Sequence, residues 1–118
     1  MTTLAKFSMF EAKLNPAAFS CFRVLFENVR DLLAAGKKTE GYEIPVASFF
    51  EKCNVDDLQT VADAIREIIQ CRVEIKKGEY LYFYTFFNSV SIENGIVRYT
   101  LPPEVENVIP SAIIAANA

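Results

Sequence analysis

The chain has no histidine and no tryptophan among its 118 residues. Without histidine it lacks the commonest general base, the commonest zinc ligand and the usual pH switch. Cysteine is sparse: Cys21, Cys53 and Cys71 are odd in number, far apart and never in CxxC spacing. That pattern argues against a metal site or a redox motif. It suits three reduced thiols acting as small buried hydrophobes in a reducing, cytosolic setting. No apolar run reaches the roughly 18 residues that would span a bilayer. The start of the chain lacks the basic-then-apolar pattern of a signal peptide. A cytoplasmic chain without membrane contact is expected. There is also no glycine-rich phosphate loop and no activated nucleophile. Asp56, Asp57, Asp63 and Glu67 are the nearest approach to an acid/base or metal cluster, and helix capping explains Asp56 or Asp57 better. No enzyme, metal or cofactor is expected. No repeat, low-complexity run or linker interrupts the chain.

What is present is apolar. Hydrophobic residues make up 52% of the chain, enough for a real core in a single domain spanning 1–118. The net charge of −3 argues against nucleic-acid binding by the whole surface, though not against a local basic patch.

The densest stretch runs from Tyr80 to Ile92, followed by Glu93-Asn94-Gly95 and Ile96 to Leu101. It reads as a long β-hairpin, because aromatic and β-branched residues favour strands. Asn-Gly is the strongest short-range hairpin signal, since a type I′ turn needs positive φ at both central residues. Alternation puts Leu81, Phe83 and Phe87 on one face and Tyr80, Tyr82, Tyr84 and Phe86 on the other. A hairpin wet on one side should alternate apolar with polar, and this one does so only from Asn88 onward. One face should therefore cover the helices of this chain, and the other should be covered by a partner or a later segment.

The remaining elements follow in order. Leu4–Leu14 fits either a helical stripe or a short strand, with a strand or extended arm preferred. Asn15-Pro16 starts a helix, with Asn as cap and Pro in the first turn. The helix runs to about Ala35 with Phe19, Phe22, Leu25, Phe26, Val29, Leu32 and Leu33 inward, and Gly36 stops it. Tyr42–Val46 is a short strand that Pro45 confines to a sheet edge. Ala47–Cys53 is a short helix. Leu58 to about Cys71 is a longer one, with Leu58, Val61, Ala62, Ile65, Ile68 and Ile69 at helical spacing. Its opposite face carries Gln59, Thr60, Asp63, Arg66, Glu67 and Gln70. Arg72–Lys76 is a strand, and a helical segment follows Pro102-Pro103. The tail Ser111–Ala118 is small, apolar and uncharged, which is unusual for a free terminus. Docking on the body, docking on a partner and truncation of a longer protein all remain open for it.

This order is that of a winged helix-turn-helix, an α+β fold with a long β-hairpin as the wing. Such a fold serves DNA binding and protein contact alike. On Leu58–Cys71, Gln59, Thr60, Arg66 and Gln70 are residue types that read DNA, but Asp63 and Glu67 among them would face phosphates. An ordinary solvated helix face is the competing reading. Lys76 and Lys77 at a turn and Arg98 on the wing are candidates to grip phosphates, as are Lys37, Lys38 and Arg72. Plain surface charge competes for each of these taken singly. Tyr80, Tyr82, Tyr84 and Phe86 resemble a stacking platform for single strands only superficially, since no basic residue interleaves them in sequence. Burial or a dimer seam suits them better, because tyrosine brings apolar area with a polar tip.

Four segments together resemble the first winged-helix domain of plasmid replication initiators of the Rep type. They are Tyr42-Glu-Ile-Pro-Val-Ala-Ser-Phe-Phe, the capped helix ending in Arg72-Val-Glu-Ile, Phe86-Phe-Asn-Ser-Val-Ser-Ile, and Gly95-Ile-Val-Arg-Tyr-Thr-Leu-Pro-Pro-Glu-Val. The resemblance covers roughly Pro16 to Ile109 and rests on element order and local flavour rather than an invariant motif. It implies DNA binding at origin sites, recruitment of host replication proteins, and a homodimer formed through the sheet of this domain. Members of that family carry a second, more basic winged helix, and this chain stops before one. The resemblance thus implies the N-terminal part of a longer protein, or a stand-alone relative whose main work is association. A pure interaction module and a small transcriptional regulator are the alternatives.

Overall fold

In the computed structural model, described over residues 3–7, 15–37 and 40–109, the first helix starts where the sequence places it. Asn15 accepts the Ala18 N–H at 2.8 Å through its side-chain oxygen, and Pro16 opens α1, Pro16–Ala34. Ala18, Cys21, Phe22, Leu25, Phe26 and Val29 are its buried face. Gly36, at φ +75°, ends it, since that backbone conformation costs glycine no Cβ clash.

Among the described residues, two three-stranded antiparallel sheets accompany four helices. Backbone strand β1, Thr3–Phe7, pairs with β3, Arg72–Lys77. Strand β3 pairs in turn with β4, Tyr80–Thr85. The second sheet has the order β2-β6-β5, from Tyr42–Pro45, Ile96–Thr100 and Ser89–Glu93. Helix α2, Val46–Cys53, and helix α3, Leu58–Ile68, lie between β2 and β3. Helix α4, Pro103–Val108, closes the described chain. It is tied to β2 by the Tyr42 hydroxyl, which donates to Glu106 at 2.7 Å.

The expected long hairpin is two hairpins. Asn94 (φ 52°) and Gly95 (φ 75°) make the turn between β5 and β6, both with the positive φ that a type I′ turn demands. The arm Tyr80–Ile92 is broken in the middle, however. Up to Thr85 it pairs with β3, and from Ser89 it pairs with β6. Between them the Phe86 N–H bonds the Cys71 carbonyl at 2.9 Å and the Asn88 N–H bonds the Thr100 carbonyl at 2.8 Å. The chain thus steps from one sheet to the other at Phe86-Phe87. Both rings turn inward, 0% and 2% exposed, and meet Phe22 edge-on at 4.8 and 5.9 Å between centroids. Phe87 also meets Tyr99 at 5.8 Å. Successive side chains of a regular strand point to opposite faces, so the break in pairing at Phe86-Phe87 lets both rings reach the Phe22 side of the core.

The first of the two is the β3–β4 hairpin, closed by the two-residue loop Gly78-Glu79. Gly78 has φ +61°, the glycine-first arrangement of a type II′ turn. Helix α3 ends at Ile68, three residues earlier than its apolar pattern predicts. Cys71 is buried and its carbonyl serves Phe86, so the chain leaves the helical path before reaching it. No helix among the described residues is long and apolar enough to cross a membrane. All three cysteines are free thiols and buried, as expected. The expectations for Ser8–Leu14, Lys38 and the tail from Pro110 lie outside the described residues.

Candidate nucleic-acid and association surfaces

Helix α3 is built by its cap. Asp57 accepts the Thr60 N–H and the Thr60 hydroxyl, both at 2.7 Å. These bonds hold the Asp57 carboxyl below its ordinary value, the backbone bond first. Thr60 is thereby committed to the cap. Further along, Asp63 accepts from Gln59 at 3.0 Å and from Arg66 at 2.7 Å. Gln70 donates to the Arg66 carbonyl at 3.2 Å. Glu67 takes two bonds from Asn15, at 3.2 and 3.4 Å, which fastens α3 to the start of α1. The polar face predicted as a DNA reader is thus largely satisfied by its own carboxylates. The Arg66–Asp63 pair is solvent-exposed, and such a pair is worth under about 1 kcal/mol. It is breakable, but Arg66 would leave a carboxylate facing the phosphates. Leu58 and Ile69, read as inward, are 57% and 40% exposed. Val61, Ala64 and Ile68 form the buried stripe instead.

The basic residues are separated. Lys76 and Lys77 end β3 beside the hairpin loop, opposite Leu81 and Tyr80. The Lys77 ammonium stands 5.8 Å from the centre of the Tyr82 ring. Cross-strand pairing therefore sets cations beside the aromatic strand, which the linear sequence did not show. Arg98 is on the second arm of the Asn94-Gly95 hairpin, as expected. It lies on β6 in the other sheet, with its guanidinium 3.7 Å from Glu43.

The four residues predicted as an interface are divided by the break at Thr85. Tyr80, Tyr82 and their neighbours Leu81 and Phe83 are 66%, 40%, 53% and 69% exposed. Tyr84 is half-buried against the core. Phe86 belongs to the core and is removed from the interface, because the strand ends before it. Leu81 and Phe83, which alternation assigned to the opposite face, are as open as the tyrosines. Apolar side chains thus project from both faces of β4. This strand has one neighbour, β3, and forms an edge of its sheet among the described residues.

No family model and no curated protein matches the chain. Among solved structures it is similar to the crystal structure of the MSBI1.176 WH1 domain, a replication protein isolated from a multiple sclerosis patient. The TM-score is 0.58 at 14% identity, with 88% of each chain covered. The chain has the winged-helix fold, shared with the WH1 domain of a replication protein.

Proposed function

We propose that this is a replication-initiator-like winged-helix domain that associates with a second copy of itself through β4. In this reading Lys76 and Lys77, at the hairpin end, touch DNA backbone.

The observation that carries the reading is the contrast between β4 and the β2 and β5 edges among the described residues. Soluble proteins blunt edge strands with charge or proline, because bare edges pair with other chains. The β2 edge carries Glu43 and Pro45, and the β5 edge carries Glu93. The β4 edge, Tyr80-Leu-Tyr-Phe-Tyr-Thr85, carries no charge and no proline. An antiparallel pair of two such strands sets no like charges opposite each other, and it buries the exposed Leu81, Tyr82 and Phe83.

The specific observation on α3, that Asp63 holds Gln59 and Arg66, favours a second reading. In it the domain only associates, and any reading of DNA is left to another domain. Light scattering together with a DNA titration at two salt concentrations decides between them. A dimer at micromolar concentration is expected, and a monomeric mass would sink the association reading. Changing Lys76 and Lys77 to Glu should weaken DNA binding and flatten its salt dependence while leaving the dimer intact. DNA affinity unchanged by that substitution would leave the association-only reading standing.

A further inference from the structure

The two faces of the β3–β4 hairpin differ in chemistry. Residues directly opposite each other on paired strands share a face, so Val73, Ile75 and Lys77 lie with Tyr84, Tyr82 and Tyr80. On that face Val73 and Ile75 are buried, whereas Tyr80 is 66% exposed. The face therefore rests on the core at its inner end and overhangs it at the loop. Lys77, Tyr80 and Tyr82 are the overhang. The Lys77 side chain is exposed, and its ammonium stands 5.8 Å from the centre of the Tyr82 ring. No β3 or β4 residue of this face is acidic, while the other face carries Glu74 opposite Phe83. In the linear sequence no cation lies among these tyrosines; strand pairing sets Lys77 directly opposite Tyr80.

An open aromatic ring takes a nucleic-acid base by stacking, and a cation beside it takes the backbone. Bases inside a duplex already have their faces covered by their neighbours, so only an unpaired strand can offer one. We propose that the end of the β3–β4 hairpin holds single-stranded nucleic acid, with a base stacked on Tyr80 and the adjoining phosphate on Lys77. Tyr82 positions the Lys77 ammonium and belongs also to the association surface, which leaves Tyr80, beside the loop, to carry the base. This rests on the reading of Lys76 and Lys77 as backbone contacts and narrows it to strands whose bases are free.

The test titrates the chain at low salt with an oligothymidine, an oligouridine and a duplex, all of one length. Both single strands should bind more tightly than the duplex, and the tighter of the two names the natural ligand as DNA or RNA. The chain has no tryptophan, so tyrosine emission reports stacking directly and should be quenched at saturation. Tyr80→Ser should weaken single-strand binding about tenfold and duplex binding far less. Tyr80→Phe, which keeps the ring, should bind like the wild type. Both variants should keep the wild-type circular dichroism and light-scattering mass, since the ring is largely exposed. Single strands held no more tightly than the duplex, or unquenched tyrosine emission, would overturn the proposal while leaving the backbone contact in place. So would a Tyr80→Ser variant that binds like the wild type, weakens both ligands equally or falls in mass. If neither single strand nor duplex binds, the proposal and the backbone reading fall together.

Discussion

At the scale of single residues, buried polar tips do the fastening. The Tyr99 ring lies in the core, yet its hydroxyl donates to the Leu25 carbonyl at 2.8 Å and accepts from Asn28 at 2.9 Å. Tyr99→Phe should cost about 1–2 kcal/mol, since both partners lose a bond in a dry setting; urea unfolding measures it. Burial also holds the phenols of Tyr99 and Tyr42 above their ordinary value. The stability they supply is complete below about pH 10, where an unfolded tyrosine begins to ionise. It falls as pH rises further, because the unfolded chain releases those protons first. Denaturation midpoints taken across the alkaline range should fall, and less steeply for Tyr99→Phe. Asp57 has the opposite sign. Its carboxyl is held low by Thr60, so its contribution is present above about pH 4 and is lost as pH falls. Asp57→Ala should lower the melting temperature by a few degrees at neutral pH. The gap from the unsubstituted chain should close in acid. A gap that persists at pH 2 would mean that the cap bonds are not the cause.

At the scale of elements, the two ends of one aromatic run do different work. Phe86 fills the junction between the sheets, so Phe86→Ala should cost about 3–5 kcal/mol, the range for emptying a buried aromatic site. Phe83, three residues before Phe86, is 69% exposed. Phe83→Lys should leave the far-ultraviolet spectrum and the urea midpoint nearly unchanged while shifting the light-scattering mass toward the monomer. Unfolding by Phe83→Lys would place the ring in the core, and an unchanged mass would remove β4 from the interface. Tyr84→Lys does not test the interface, because Tyr84 packs on the core and its loss mixes folding with association. Helix α3 has the same division of labour. Its inner stripe holds α1, and its outer face is satisfied internally by Asp57 and Asp63.

At the scale of the whole molecule, charge and apolar surface are arranged separately. The net charge of −3 gives no general attraction for DNA, so the proposed backbone contact rests on Lys76 and Lys77 at the end of the β3–β4 hairpin. The exposed apolar strand lies on the same hairpin. Association and backbone contact would therefore be neighbours, and a dimer paired through β4 would carry Lys76 and Lys77 from both copies near one seam. Low-salt binding that weakens on dilution into the monomer range would support this coupling, whereas binding indifferent to protein concentration would separate the two activities.

The local signals in the sequence determined the elements. Asn15-Pro16 and Asp57 fixed two helix starts, Asn94-Gly95 fixed a turn, and apolar spacing placed Phe22, Leu25, Phe26, Val61 and Ile68 inward. Each of these depends on neighbours within a turn or two, so each is legible from a short window. The order of the elements then sufficed for the winged-helix fold. Three things needed the tertiary structure. Which strand pairs with which is a long-range matter: Tyr80–Thr85 had β3 and β6 both available, and the packing of Phe86 and Phe87 on Phe22 and Tyr99 decided between them. The separation of Arg98 from Lys76 and Lys77 followed from that choice, because β6 and β3 belong to different sheets. The exposure of Leu58, Ile69, Leu81 and Phe83 was likewise hidden, since hydrophobicity states what a side chain favours but not whether the fold has room to bury it.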